Sequence, residues 1–195
     1  MRTTRKIGVV TALLVSTAFT SQAQTSTTGG TPAATASNKE FRLSVGPEFG
    51  LPLGDFNTAY NWTFGGSVQA DIPIVPNFYV TVNAGYDDAF VRTSETSGRN
   101  LQLIPLKAGL KYFFVDNLVY VQGQAGATIL GNKTDAGADK SAAFVYTPQV
   151  GVLIKLAPKN YLDAGVYFQQ TQSFWNAGSG NLNQLGIRLA YTLGM

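Results

Sequence analysis

Residues 104–114 have the sequence IPLKAGLKYFF, and their pattern decides the fold of this chain. The even-numbered positions are apolar, whereas Lys107, Gly109 and Lys111 lie between them. A period of two residues is typical of a β-strand, because successive side chains of a strand point to opposite faces. The segment therefore predicts a strand with one apolar face and one polar face.

The same alternation occurs eight times after residue 39, and no apolar run there is long enough for a membrane-spanning helix. Three of the links between these stretches are short, and the other four are longer and polar, at residues 52–61, 92–100, 131–142 and 175–183. Short turns at one end and longer loops at the other are typical of an up-and-down barrel. We therefore predict an all-β fold over residues 39–195, an eight-stranded antiparallel up-and-down transmembrane β-barrel.

The placement of glycines, charges and aromatic residues indicates which face meets lipid. Alternation by itself also fits a soluble barrel that carries an apolar ligand inside. Glycines, however, collect on the polar face, where a narrow interior has least room. Apart from Asp88 at one edge, the apolar face lacks charges, each of which would cost about 2 to 4 kcal/mol at mid-bilayer. Aromatic residues gather near the strand ends as interfacial girdles do, and the predicted girdle comprises Trp62, Phe90, Tyr112, Phe114, Tyr146, Phe174, Trp175 and Tyr191.

Ten charged residues fall on the polar face of the predicted strands, and they are matched in sign. The five acidic and five basic residues are Glu40, Glu48, Asp71, Asp87, Asp163, Arg42, Lys107, Lys111, Lys155 and Arg188. Because an isolated buried charge is very costly, a closed polar lumen needs its charges paired. We therefore predict an ion-pair network that plugs the lumen. A gated path for small ions, lined by Glu48, Lys107 and Arg188, is the alternative.

The first 38 residues are predicted to lie outside the barrel. Residues 1–23 have a basic start, an apolar stretch and a small-residue cleavage pattern, as in a secretory signal peptide. Residues 24–38, rich in Thr, Ser, Ala and Gly, predict a flexible polar spacer. The whole chain has 14 basic and 11 acidic residues, and three of the basic residues leave with the signal peptide. The balanced charge that remains predicts no nucleic-acid partner.

The composition also limits the chemistry that this chain can perform. It contains no Cys and no His. Disulfides, thiolate and His metal sites and Ser-His triads are therefore excluded. We predict no enzymatic activity, no catalytic residue, no cofactor and no metal site.

Two neighbouring stretches resemble a known family. Residues 104–114 and residues 119–126, VYVQGQAG, are similar to the middle hairpin of the PorT-like outer membrane beta-barrel domain proteins that are common in Bacteroidetes. The resemblance extends from about Glu40 to Met195, and it implies a small barrel that the barrel assembly machinery inserts into the outer membrane. Most members have no assigned activity. The C-terminal pattern also resembles the terminal-strand motif that this machinery recognises, in Gln184, Gly186, Leu189 and Tyr191.

The predicted function follows from a plugged barrel with four long loops. We expect a structural role, or the docking of a protein partner through the extracellular loops, in contact with outer-membrane lipid. The alternative is a narrow or gated conduit for ions or small solutes. The predicted location is the cell outer membrane, and an even number of strands places both termini on the periplasmic side with the short turns.

Overall fold

The computed structural model describes residues 40–92, 100–115, 117–132, 138–175 and 180–195. The predicted signal peptide over residues 1–23 and the predicted spacer over residues 24–38 lie outside the described residues and stay predictions. None of the helices in the described ranges is long and apolar enough to cross a membrane.

Eight strands and one short helix make up the described chain. Their bounds are β1 Arg42–Leu53, α1 Asp55–Ala59, β2 Tyr60–Val75, β3 Phe78–Val91, β4 Leu101–Val115, β5 Val119–Leu130, β6 Ala142–Ala157, β7 Asn160–Thr171 and β8 Leu182–Gly194. Each strand pairs antiparallel with the next, and β8 pairs with β1, so the sheet closes into a barrel. The fold-class prediction of an eight-stranded up-and-down barrel is confirmed.

The apolar side chains face outward and the polar side chains face the lumen. In β8, Ile187 and Leu189 are 57% and 52% exposed, whereas Arg188 between them is 2% exposed. This order is the reverse of a soluble barrel, which hides its apolar face inside. It matches a barrel whose outer surface lies in lipid and whose interior is filled by its own side chains.

Glycine on the lumen face lets the barrel stay narrow. A Cβ atom added to Gly126 in β5 would collide with the backbone oxygen of Leu106 in β4. Gly123 in the same strand faces outward, and a Cβ atom there would meet nothing within 4 Å. Lumen glycines such as Gly126 therefore make room for a neighbouring strand, whereas an outward glycine such as Gly123 does not.

The three short turns between β2 and β3, β4 and β5, and β6 and β7 form one end of the barrel, called here the turn end. Each turn contains a residue with positive φ: Asn77 at 66°, Asn117 at 60° and Lys159 at 64°. Asn adopts this conformation more easily than most residues, whereas Lys has no such advantage. The opposite end, which carries the longer links and α1, is called here the loop end.

Prolines interrupt three of the strand ladders without shifting their register. Pro47, Pro105 and Pro148 lie at gaps in the β1–β8, β3–β4 and β6–β7 pairings, and the register is the same on both sides of each gap. Proline has no N–H group to donate to the neighbouring strand. The missing backbone hydrogen bonds, rather than an inserted residue, account for these gaps.

Candidate functional site

The lumen collects most of the charged residues that the sequence places on the polar face. Eight of the ten are buried there: Arg42, Glu48, Asp71, Asp87, Lys107, Lys111, Asp163 and Arg188. Glu40 lies at the turn end, with 16% of its side chain exposed. Lys155 is exposed.

Four of these residues form a chain of ion pairs across the middle of the lumen, called here the central charge cluster. It consists of Asp71, Lys111, Asp163 and Arg188. Lys111 Nζ lies 2.7 Å from Asp71 Oδ2 and 3.3 Å from Asp163 Oδ2. Arg188 Nη1 approaches Asp163 Oδ2 to 3.4 Å, and the Tyr120 hydroxyl donates to Asp163 Oδ1 at 2.6 Å. Asp163 therefore joins two cations and a hydroxyl that come from three other strands.

Arg188 extends the central charge cluster toward the loop end. Its Nε atom lies 3.4 Å from Glu48 Oε1 and donates to Ser67 Oγ at 3.1 Å. Its Nη2 atom donates to Ser44 Oγ at 3.0 Å, and the Ser67 hydroxyl donates in turn to Glu48 Oε1. The register places Glu48 directly opposite Arg188 on the neighbouring strand. One guanidinium therefore links β1, β2, β7 and β8 where the barrel closes.

An arginine surrounded by aromatic rings fills the lumen at the turn end. The Arg42 guanidinium carbon lies 4.9 Å from the centre of the Tyr79 ring, 5.1 Å from that of Phe113 and 5.3 Å from that of Tyr161. Glu40 Oε2 lies 3.7 Å from Arg42 Nε and accepts the Tyr161 hydroxyl at 2.8 Å. Ring faces attract a cation, so the three rings stabilise the buried charge.

Amide side chains fill the space around the central charge cluster. Gln69 Nε2 donates to Asp71 Oδ1 at 2.7 Å and to Gln122 Oε1 at 3.1 Å. Gln124 Nε2 donates to Gln69 Oε1 at 3.2 Å and to Thr81 Oγ1 at 3.1 Å. The predicted set of charged residues omitted these amides, although their positions on the polar face carried the needed information.

Two predicted members of the ion-pair network are buried without an ion pair in the described structure. Lys107 Nζ donates to the amide oxygen of Gln169 at 3.0 Å. Asp87 is 3% exposed, and its Oδ2 atom has no hydrogen-bond partner among the described residues. The expectation that every lumen charge is paired is therefore wrong for Lys107 and Asp87.

The predicted place of Lys155 in the lumen network is also wrong. The sequence places it on the polar face, and it is exposed instead. It pairs with Tyr161 in the register, just before the β6–β7 turn, where the wall of the barrel ends. Alternation assigns the face of a residue but not its height, so a lumen-face residue at the rim reaches water.

The predicted girdle divides between the outer wall and the loop end. Trp62, Tyr112, Phe114, Tyr146 and Tyr191 are exposed on the outer wall. The half-buried Phe90 ring stacks on Trp62 with centroids 4.0 Å apart. The prediction is wrong for Phe174, which is fully buried because it packs inside the opening at the loop end, where Trp175 is half-buried against the same residues.

An apolar cluster closes the loop end of the lumen, called here the mouth cluster. Its buried members are Phe56, Ala89, Leu101, Leu103, Leu130, Ala138, Ala143, Phe174 and Leu182, with Tyr60 and Trp175 packed against them. Alternation does not predict this cluster, because its members come from strand ends, from α1 and from links, where the period of two no longer applies. Leu101 and Leu103 had nevertheless the spacing of lumen-face residues beside Lys107.

The predicted assembly motif lies on β8. Gln184 and Gly186 face the lumen, whereas Leu189 and Tyr191 face outward and are 52% and 45% exposed. Gln184 Oε1 accepts the Thr63 hydroxyl at 3.0 Å. Recognition of these residues by the assembly machinery stays a prediction.

Comparison with solved structures finds other small outer-membrane barrels. The outer membrane protein AlkL, determined by solid-state NMR in DMPC lipid bilayers, is 16% identical with a TM-score of 0.51, and the match covers 88% of this chain and 97% of AlkL. Neisserial surface protein A is 14% identical with a TM-score of 0.57, and the match covers 80% of this chain and 97% of that protein. At these identities the likeness shows the fold alone.

Comparison of the sequence gives the family. No curated protein is significantly similar to this chain. The family model described as outer membrane protein beta-barrel domain matches residues 11–192, which include β1 to β7 and all but the last two residues of β8. The chain therefore belongs to the outer membrane protein β-barrel domain family.

Proposed function

We propose that this protein is a plugged outer-membrane barrel of the PorT-like type common in Bacteroidetes, with a structural or partner-docking role carried by its long loops. The observation that supports the plug best is the central charge cluster. Lys111 on β4 pairs with Asp71 on β2 and with Asp163 on β7, and neither strand is a neighbour of β4, so these ion pairs cross the lumen rather than follow its wall. A solute would have to break them to pass.

Two further layers support a closed lumen. Arg42 and its aromatic rings occupy the turn end, and the mouth cluster occupies the loop end. Arg42, Tyr79 and Phe113 in the first layer are almost completely buried, as are Phe174 and Leu101 in the second. With the interior occupied, the exposed loop end is the part of the molecule best suited to meet a partner.

We further propose that the loop end is extracellular and that both termini are periplasmic. The short turns, the start of β1 and the end of β8 lie at the same end of the barrel, and short turns are periplasmic in outer-membrane barrels. The outward residues Leu189 and Tyr191 remain accessible to the barrel assembly machinery from the lipid side. We also propose that the protein is not an enzyme, since the chain offers no His or Cys to a hydrolytic site.

Planar-bilayer recording of the refolded protein tests the plug. We expect no conductance steps from the wild-type protein, with heat-modifiable gel migration as the proof that the barrel has folded. Lys107→Ala and Glu48→Ala remove lumen charges, and Lys155→Ala is the matched control because that side chain is exposed. Wild-type steps that either lumen variant abolishes would refute the plugged lumen.

One observation favours the second candidate function, a gated conduit for ions. Asp87 and Lys107 are buried near the loop-end half of the lumen, and neither makes an ion pair in the described structure. Charges that no ion pair holds are suited to transient contact with a passing ion. Conductance that depends on Lys107 or Asp87, and not on Lys155, would support this function in place of the plug.

A further inference from the structure

A cavity of about 540 Å³ lies at the loop end beside α1. It is bounded by α1, the start of β2, Trp175 and the start of β8, and the residues lining it are Asp55, Phe56, Thr58, Ala59, Tyr60, Trp175, Gly180, Asn181 and Leu182. The volume is within the range of small-molecule sites, about 300 to 1,000 Å³. None of the charged lumen residues lines the cavity, whereas Phe56 and Leu182 of the mouth cluster do.

The base of this cavity is apolar and aromatic. Phe56 and Leu182 belong to the mouth cluster and are each 5% exposed. The Phe56 and Tyr60 rings lie 5.0 Å apart, and the half-buried Trp175 packs against the same cluster. Because these contacts hold the rings in place, the cavity presents fixed aromatic surface to a ligand.

A single carboxylate gives the cavity its charge. Asp55 is the one charged residue among those that line it, and it makes no ion pair within the described part of the chain. Arg92 Nη2 donates to the amide oxygen of Asn57 at 2.9 Å, and no ion pair joins Arg92 to Asp55 within the described residues. A carboxylate beside Tyr and Trp rings attracts a cation and repels an anion.

We propose that this cavity binds a small organic cation, an amine or a quaternary ammonium compound with an apolar body. The cationic group lies between Asp55 and the rings of Tyr60 and Trp175, and the apolar body contacts Phe56 and Leu182. The Thr58 hydroxyl and the Asn181 amide supply hydrogen bonds at the rim. This site is independent of the plugged lumen, so a protein that does not bind such a cation could still have a closed lumen.

Tryptophan fluorescence gives a direct test, since the chain contains two Trp residues. Trp62→Phe removes the Trp that stacks on Phe90 in the outer girdle and leaves Trp175 as the reporter at the cavity. The full-length protein with this change is refolded in a non-ionic glucoside detergent, because choline-headgroup detergents would compete. The probes are choline chloride and its neutral isostere 3,3-dimethylbutan-1-ol, with sodium chloride keeping the ionic strength constant.

We expect choline to change Trp175 fluorescence saturably and the neutral isostere to bind at least about tenfold more weakly. Asp55→Asn should weaken choline binding by about tenfold or more, and Tyr60→Leu, which keeps an apolar side chain, should also weaken it. Asp88→Asn is the matched control, since Asp88 lies on β3 outside the cavity. Heat-modifiable migration verifies the fold of each variant. Equal binding of both probes, or no saturable binding of choline, would overturn the proposal.

Discussion

Replacement of Asp163 by Asn tests whether the central charge cluster holds the barrel together. Asp163 is completely buried and lies within 3.3 Å of Lys111 Nζ and 3.4 Å of Arg188 Nη1. The Tyr120 hydroxyl also donates to it at 2.6 Å. Asn has nearly the same shape and removes the negative charge, so the change tests electrostatics and leaves packing intact.

The expected change in the free energy of unfolding depends on the ion-pair partners that Lys111 and Arg188 retain after the substitution. Removal of one partner from a buried ion pair costs about 3 to 5 kcal/mol, since the other charge stays buried. After Asp163→Asn, Lys111 retains Asp71 at 2.7 Å and Arg188 retains Glu48 at 3.4 Å. We therefore expect the free energy of unfolding to fall by about 3 kcal/mol, near the lower end of that range.

Urea unfolding of the protein in lipid vesicles, followed by tryptophan fluorescence, measures this loss. Asp87→Asn is the matched control. The Asp87 carboxylate is also buried, but it makes no ion pair, and its Oδ2 atom has no hydrogen-bond partner among the described residues. We expect this control to change the free energy of unfolding by no more than about 1 kcal/mol. Similar losses for the two variants would refute the claim that ion pairing, rather than burial of charge, distinguishes Asp163.

Three further predictions concern the wall and the turns. Gly126→Ala should lower the free energy of unfolding in urea by about 1 to 3 kcal/mol, because a Cβ atom at Gly126 would collide with the backbone of Leu106. Gly123→Ala in the same strand should be nearly neutral, because a Cβ atom there has no atom within 4 Å. Lys159→Asn should raise the free energy of unfolding by up to about 1 kcal/mol, since Asn tolerates its φ of 64° better. Pro148→Val supplies an N–H group at the gap between β6 and β7, and slower amide hydrogen exchange there would be the evidence for a restored bond; unchanged exchange would contradict that explanation of the gap.

The sequence was sufficient to predict the strands, because within each strand apolar residues that face lipid alternate with polar residues that face the lumen. In β8, an apolar outward residue alternates with a polar or glycine residue along almost the whole length, and the burial of the side chains follows the same order. The pairing of β8 with β1, which closes the barrel, could not be predicted from the sequence of any single strand. They followed from the number of strands and from the alternation of short and long links, which together allow few topologies.

The candidate site was harder to predict than the fold. Alternation placed Asp163, Lys111 and Arg188 in the lumen, but pairing depends on the height of each residue, which the stagger between strands determines. Lys155 lies on the lumen face of its strand, but so close to the turn end that its side chain reaches water instead of the ion-pair network. Phe174 lies in a link, where no period applies, so an aromatic residue near a strand end was assigned to the wall although it packs inside.

The polar lumen has a physical consequence beyond the free energy of its ion pairs. A buried network of this kind contributes little net stability compared with apolar residues of similar volume. It does, however, make the register unambiguous, because a slip of one residue turns every side chain of a strand to the opposite face. Such a slip in β4 would move both Lys107 and Lys111 into lipid, at about 2 to 4 kcal/mol for each charge near mid-bilayer. A lumen filled with apolar residues would impose no such penalty. The charged residues of the lumen therefore specify which residues pair around the barrel, and the ion pairs of the central charge cluster then make that one arrangement costly to break.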